Sequence, residues 1–282
     1  MTTSVPVPAL DRDLIARLRF DVIAASWTTD TLETLLSDGA LSALMRDSRL
    51  PALVELAGVT DPAATLTRFF VLGQPERASA LDAALPTLGA AGLETLGLAA
   101  TIDEDEAASA LVMPRPYSKS APKRERAQAG EGEEASFPTA PALPTMRDPD
   151  EEPEPEVVVD PWMRALYDLR PHAAQLHGGL KNWWILSDLG EDVTGEPIRP
   201  DHVLGIGGAT TSLLKATLRT PVESALDLGC GCGIQALYLA THATRVVATD
   251  LSSRACEITR FNAALNGVEL DVRQGSLFEP VE

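Results

Sequence analysis

Nine residues in the last third of the chain, Ala225-Leu226-Asp227-Leu228-Gly229-Cys230-Gly231-Cys232-Gly233, limit the fold more than any other stretch. An apolar run ending in an acid, glycines at every second position, then an apolar helical pattern from Ile234 to Ala240 read as strand, tight loop and helix. Such a loop turns sharply and lets a ligand approach bare backbone, which a Cβ would block. A second unit follows. Arg245 to Asp250 is a β-rich run ending in an acid, and Ser252 or Ser253 can cap a helix whose Ala255, Ile258, Phe261 or Asn262, and Leu265 recur at helical spacing. Asn266-Gly267 stops that helix, and Val268 to Gln274 alternates as a third strand that delivers Gly275 and Ser276 to the same edge. Strand, helix, strand, helix, strand is the first half of a doubly wound, Rossmann-like sheet of the α/β class.

Two ligand classes use such loops. Gly231 to Ala236 fits the dinucleotide pattern G-x-G-x-x-A, which would suit a nicotinamide-dependent oxidoreductase. Asp227 argues against it. A carboxylate at the mouth of the loop repels a pyrophosphate lying on the helix N-terminus, whereas S-adenosylmethionine has no phosphate and presents an ammonium and a sulfonium. A carboxylate at Asp250, the tip of the second strand, can accept from both ribose hydroxyls of an adenosine.

At these residues the sequence resembles the class I S-adenosylmethionine-dependent methyltransferases, and within them the small-domain group of release-factor glutamine and ribosomal-RNA guanine methyltransferases. The signature Asp-x-Gly-x-Gly-x-Gly stands at Asp227, Gly229, Gly231 and Gly233, the ribose acid at Asp250 and the adenine-side position at Gly275-Ser276. The resemblance implies S-adenosyl-L-methionine as cofactor, transfer of its methyl to a nitrogen of a protein glutamine or an RNA base, and a protein or RNA partner. It also likens Arg199 to Leu214 to a segment that folds over the methionine end of the donor, which makes Thr210 a site candidate; the plainer reading is a helix capped by Thr210 or Thr211. In that group the next strand ends in Asn-Pro-Pro-Tyr or Asn-Pro-Pro-Phe, which holds the acceptor nitrogen. The sequence stops at Glu282 short of that motif, so a fragment, or a cofactor-binding regulatory module, is the expectation for these residues alone.

Upstream, Asp11 to about Ala100 reads as short helices. Leu14, Ile15, Leu18, Val22 and Ile23 share one face, Thr29 or Asp30 opens a second helix, Asp61-Pro62 caps a third, and Pro75 to Leu85 forms another. With a hairpin from Leu93 to Met113, residues 1–113 would suit a winged-helix-like substrate domain; a helical cap on the catalytic domain is the rival reading. Arg12, Arg17, Arg19 and Arg68 read as a solvated face, since acids are interleaved with them. Residues 114–160 are a charged, proline-rich linker, with Ser118 to Glu156 too polar to offset their ordering entropy. Residues 161–282 form the methyltransferase domain, entered through a buried strand from Lys181 to Asp188 that sends Trp183 and Trp184 to opposite faces. His172 and His177 read as turn residues.

A net charge of -18 disfavours non-specific attraction to nucleic acid, and Cys230 and Cys232 lack the second cluster a zinc site needs. No apolar stretch approaches membrane length and no basic leader precedes one, which points to a cytoplasmic protein with no membrane partner.

Overall fold

The N-terminal helices form where caps and apolar spacing coincide. In the computed structural model, which describes residues 5–46, 48–111, 159–176 and 178–281, helix α1 (Arg12–Ala24) starts at Asp11, whose carboxylate accepts the amides of Asp13 and Leu14. It buries Ile15, Leu18 and Val22 but leaves Ile23 exposed. Helices α2 (Thr29–Leu35), α3 (Asp38–Leu44) and α4 (Leu50–Glu55) follow. Asp61 then caps α5 (Pro62–Leu66), where the proline sits at a position whose amide needs no partner. A π-helical turn, Thr67–Val71, continues it and turns Phe69 and Phe70 fully inward. Trp27 stacks on Phe70 and donates its indole N–H to the Thr67 hydroxyl at 3.0 Å. The same turn carries Arg68 inside, not onto a solvated face: its guanidinium donates to Glu76 and to the carbonyls of Leu56 and Val59.

Strand β1 (Glu76–Arg77) precedes α6 (Ala78–Ala84), so the helix expected from Pro75 begins three residues later. Next come α7 (Gly89–Thr95), β2 (Ala99–Ile102) and α8 (Glu104–Leu111). Residues 93–111 therefore form no hairpin, and the wing of a winged-helix arrangement is missing from them. Asp103 accepts the Glu106 amide at 2.7 Å and three acids fill the first turn of α8, which commits the chain to a helix directly after β2. The partner of β2 comes instead from far along the chain: β3 (Trp162–Ala165) lies between β1 and β2, antiparallel to both. The expectations for Ser118 to Glu156 fall outside the described residues.

Strands β4 (Tyr167–Leu176) and β5 (Gly179–Asp188) make a ten-residue antiparallel hairpin, from Tyr167 opposite Asp188 to Leu176 opposite Gly179. His172 is thus a strand residue, bonded to the Tyr238 hydroxyl at 2.9 Å, while His177 lies outside the described residues. The tryptophans part as the strand period requires. Trp183 packs edge-on against Tyr238, and Trp184 donates to the Trp27 carbonyl at 2.8 Å.

After α9 (Glu191–Thr194) and α10 (Gly208–Ala216), the chain alternates: β6 (Val222–Leu228), α11 (Ile234–Leu239), β7 (Ala243–Asp250), α12 (Ser253–Asn266) and β8 (Asp271–Gln274). The three strands are parallel with β7 central, pairing Asp227 with Ala248 and Asp250 with Gln274. Helix α12 runs from its Ser252 cap to a left-handed Gly267, both in their expected places. The described residues within 5–111 and 160–281 belong to one compact unit, and one apolar core joins Trp27, Phe69 and Phe70 to Trp184, Ile258 and Phe261.

Among the described residues β5 has no second strand beside it; two asparagines of α12 take that place. Asn266 Oδ1 accepts the Trp184 amide at 2.9 Å and its Nδ2 donates to the Trp184 carbonyl at 2.8 Å; Asn262 does the same for Leu186 at 2.8 and 2.9 Å. Asn266→Ala should leave a buried donor and acceptor of β5 unpaired and lower stability by about 3 kcal/mol, measured by urea unfolding.

Candidate functional site

The glycine loop crosses from the end of β6 to the end of β7. The amides of Gly229 and Cys230 both donate to the Thr249 carbonyl, at 2.8 and 2.9 Å. Gly229, Gly231 and Gly233 have φ of 77, 55 and 81°, the left-handed region that a side chain resists. Their surroundings differ. A Cβ on Gly229 or Gly231 would meet nothing within 4 Å, whereas one on Gly233 would strike the Thr259 methyl at 2.7 Å. The first two glycines leave open space beside the backbone; the third lets α12 approach.

Two carboxylates flank the loop from neighbouring strand tips. Asp227 Oδ2 accepts the Ala236 amide at 3.0 Å, in the first turn of α11. Asp250 Oδ2 accepts the Gly231 amide at 3.0 Å and Oδ1 the Ser252 amide at 2.9 Å. Asp227 is pushed up to about 6, chiefly by burial, with the Ala236 amide opposing and the charge of Asp250 adding to the rise. Burial also pushes the Cys230 thiol up to about 12 and raises Cys232, so both stay protonated thiols that pack; no metal-ligating cluster occurs among the described residues.

A cavity of about 550 Å³ opens onto this loop, within the range of small-molecule sites. Of the residues singled out in the sequence, Asp227, Gly229, Gly231, Asp250 and Thr210 line it. Gly233 stands behind it as the left-handed cap of α11. Gly275 and Ser276 do not line it: the Gly275 amide is bonded to the Asp250 carbonyl at 3.0 Å, and the Pro280 ring lies against Gly275 where the chain folds back after β8. The Thr210 carbonyl accepts Gln235 Nε2 at 3.0 Å. Neither threonine caps α10. Gly207 is its N-cap, and the Thr211 hydroxyl donates back to the Gly207 carbonyl at 3.0 Å.

Residues 200–205 form one side of the wall, held in place by a buried ion pair. Asp188 at the end of β5 accepts the Val203 amide at 2.8 Å and returns its own amide to the Val203 carbonyl at 3.0 Å. Arg254 of α12 fixes that carboxylate at 2.5 Å, both side chains almost wholly buried, and also donates to the Tyr167 hydroxyl and the Val5 carbonyl. His202, Val203 and Leu204 all line the cavity. Residues 200–205 lie within the segment from Arg199 to Leu214 singled out in the sequence, but the Asp188–Arg254 pair that anchors them carried no signal there, because the two lie 66 positions apart.

Residues 206–282 match the family described as methyltransferase small domain, and residues 24–110 match a family described as Domain of unknown function (DUF7059). A ribosomal protein L11 methyltransferase of Symbiobacterium thermophilum is 40% identical over 94 residues, 30% of this chain and 31% of that protein. Another, of Desulfitobacterium hafniense, is 38% identical over 102 residues, covering 34% of this chain and 32% of its own. A ribosomal RNA small subunit methyltransferase C of Citrobacter koseri is 37% identical over 75 residues, 26% of this chain and 22% of that one. The matches span about a third or less of these curated relatives. The C-terminal region is a class I S-adenosylmethionine-dependent methyltransferase domain of the small-domain group.

The raised Asp227 pKa has a consequence for stability. The unfolded chain releases this proton near 3.8 and the folded one only near 6, so stability is greatest at low pH for this group and is lost as pH rises through that window. Asp227→Asn keeps an acceptor for the Ala236 amide and removes the charge. It should be more stable than the parent at pH 7 by something of order 2 kcal/mol and nearly equal at pH 4, read from denaturant midpoints at the two pH values.

Proposed function

We propose that this chain binds S-adenosylmethionine at the cavity beside the glycine loop and transfers its methyl group to a nitrogen of a protein glutamine or an RNA base, with residues 1–113 presenting the substrate. The observation that carries the reading is the pair of carboxylates, Asp227 and Asp250, at the tips of adjacent parallel strands on either side of two glycines with open space beside them. That set fits a ligand with two cationic groups and a ribose, and it opposes a pyrophosphate.

In this reading Asp250 accepts from the ribose hydroxyls while its own backbone partners, the amides of Gly231 and Ser252, keep it oriented. Asp227 faces the ammonium. Gly229 and Gly231 allow close approach to bare backbone, and the wall from Pro200 to Gly205, with Thr210, shields the ligand from water. The bound donor supplies a methyl group already activated on a sulfonium. The protein then works by position: an acceptor nitrogen is held in line at roughly 3–3.5 Å, its bond to the methyl carbon forms as the bond from sulfur breaks, and the surplus proton on the nitrogen leaves to solvent. The relatives that match are named for ribosomal protein L11 and for ribosomal RNA, which supports a ribosomal acceptor, protein or RNA.

Calorimetric titration tests the donor site. The purified chain should bind S-adenosylmethionine or S-adenosylhomocysteine, and Asp250→Ala should weaken that binding at least tenfold, the value of one charge-assisted hydrogen bond of about 1.5–3 kcal/mol. Tight binding of a nicotinamide dinucleotide with none of the methyl donor would overturn the reading.

The pH dependence of the same titration follows from Asp227. A cation is held by the ionised carboxylate, so affinity should be constant well above pH 6 and fall as pH drops through about 6.

A further inference from the structure

One turn of α12 reaches two successive carbonyls of the glycine loop. The Thr259 hydroxyl donates to the Gly231 carbonyl at 2.9 Å, and Asn262 Nδ2 donates to the Cys232 carbonyl at 2.8 Å. The two residues are three apart, so a single helix face presents both, and both are fully buried. A trans peptide is planar, with its C=O and N–H pointing in opposite directions. Holding the Gly231 oxygen therefore sets the direction of the Cys232 N–H, and holding the Cys232 oxygen sets that of the Gly233 N–H, which closes on the Cys230 carbonyl at 2.7 Å.

The other groups on these side chains point the same way. The Thr259 methyl occupies the place of a Gly233 Cβ, so loop and helix touch without a gap. Asn262 Oδ1 accepts the Leu186 amide, and Nδ2 is shared with the Leu186 carbonyl, which ties the loop to the same strand whose last residue, Asp188, anchors the cavity wall. The peptide planes on either side of Cys232, next to the open Gly231, are thus fixed by two side chains that do not line the cavity.

We propose that Thr259 and Asn262 are positioning residues for the methyl donor. Acting through the backbone from Gly231 to Gly233, they hold the loop in its ligand-receiving form before the donor arrives, so that binding does not have to order it. This rests on the donor site proposed above. Thr259 carries the cleaner test, because removing Asn262 would also strand the Leu186 amide and carbonyl inside the core.

The experiment is calorimetric titration of S-adenosylhomocysteine into the parent chain, Thr259→Val and Thr259→Ser, with circular dichroism melts of each without ligand. Thr259→Val keeps the shape and loses the donated hydrogen bond; its affinity should fall about tenfold, one buried hydrogen bond. Thr259→Ser keeps the hydroxyl and should bind within about twofold of the parent, a rescue that a packing role alone would not give. If Thr259→Val does not fold, Thr259→Ala gives the same readout without adding a methyl. Equal affinity of the folded valine or alanine variant and the parent overturns this inference alone, whatever happens to the melting temperature. A parent chain with no affinity for S-adenosylhomocysteine or S-adenosylmethionine overturns it together with the donor site.

Discussion

Helix α12 carries the buried polar contacts on which the remaining architecture depends. Arg254 in its first turn holds Asp188 and through it the cavity wall; Thr259 and Asn262 in the middle hold the glycine loop; Asn262 and Asn266 complete the open side of β5. Each is almost or wholly excluded from water, where an unpaired donor or acceptor costs about 1–3 kcal/mol. A helix so burdened with satisfied polar groups cannot shift without breaking several of them at once. Its apolar residues Ile258, Phe261 and Leu265 fill the same core from the intervening positions.

That helix also explains why the N-terminal helices and the parallel sheet form one body. The two sides meet through Trp27 and Trp184, through β3 lying between β1 and β2, and through Arg254 reaching the Val5 carbonyl. Apolar burial supplies most of the attraction, but it has no direction; the hydrogen bonds of Trp184, Arg254 and Asn266 define one docking among many. The cavity beside the glycine loop is thereby walled in part by residues 200–205, which are fastened to β5 and so to the hairpin that packs on the N-terminal helices.

The electrostatics of the site follow from the same packing. Asp227 is buried beneath the loop, where its charge is expensive, while Asp250 at the next strand tip accepts two amides. A cationic ligand relieves the cost at Asp227, and a polyanionic one adds to it. The charge of the cavity therefore comes from the fold itself, which places an acid at the tips of β6 and β7.

The sequence by itself determined the local elements whose causes are local. Asp61 and Ser252 as caps, Gly267 as a left-handed stop, the glycine loop with Asp227 and Asp250, and the order of strands and helices after Val222 all depend on neighbours within a few residues. Tertiary structure alone decided what lies far apart in the chain. It paired β2 with β3, some 60 positions later in the chain, replacing the hairpin expected from Leu93, and took Arg68 inside to the carbonyls of Leu56 and Val59. It also placed Gly275 and Ser276 off the cavity lining and brought Asp188 to Arg254. Periodicity and capping report only on the next turn or the next strand, whereas a buried ion pair or a strand partner is set by which distant groups can satisfy each other inside the folded core.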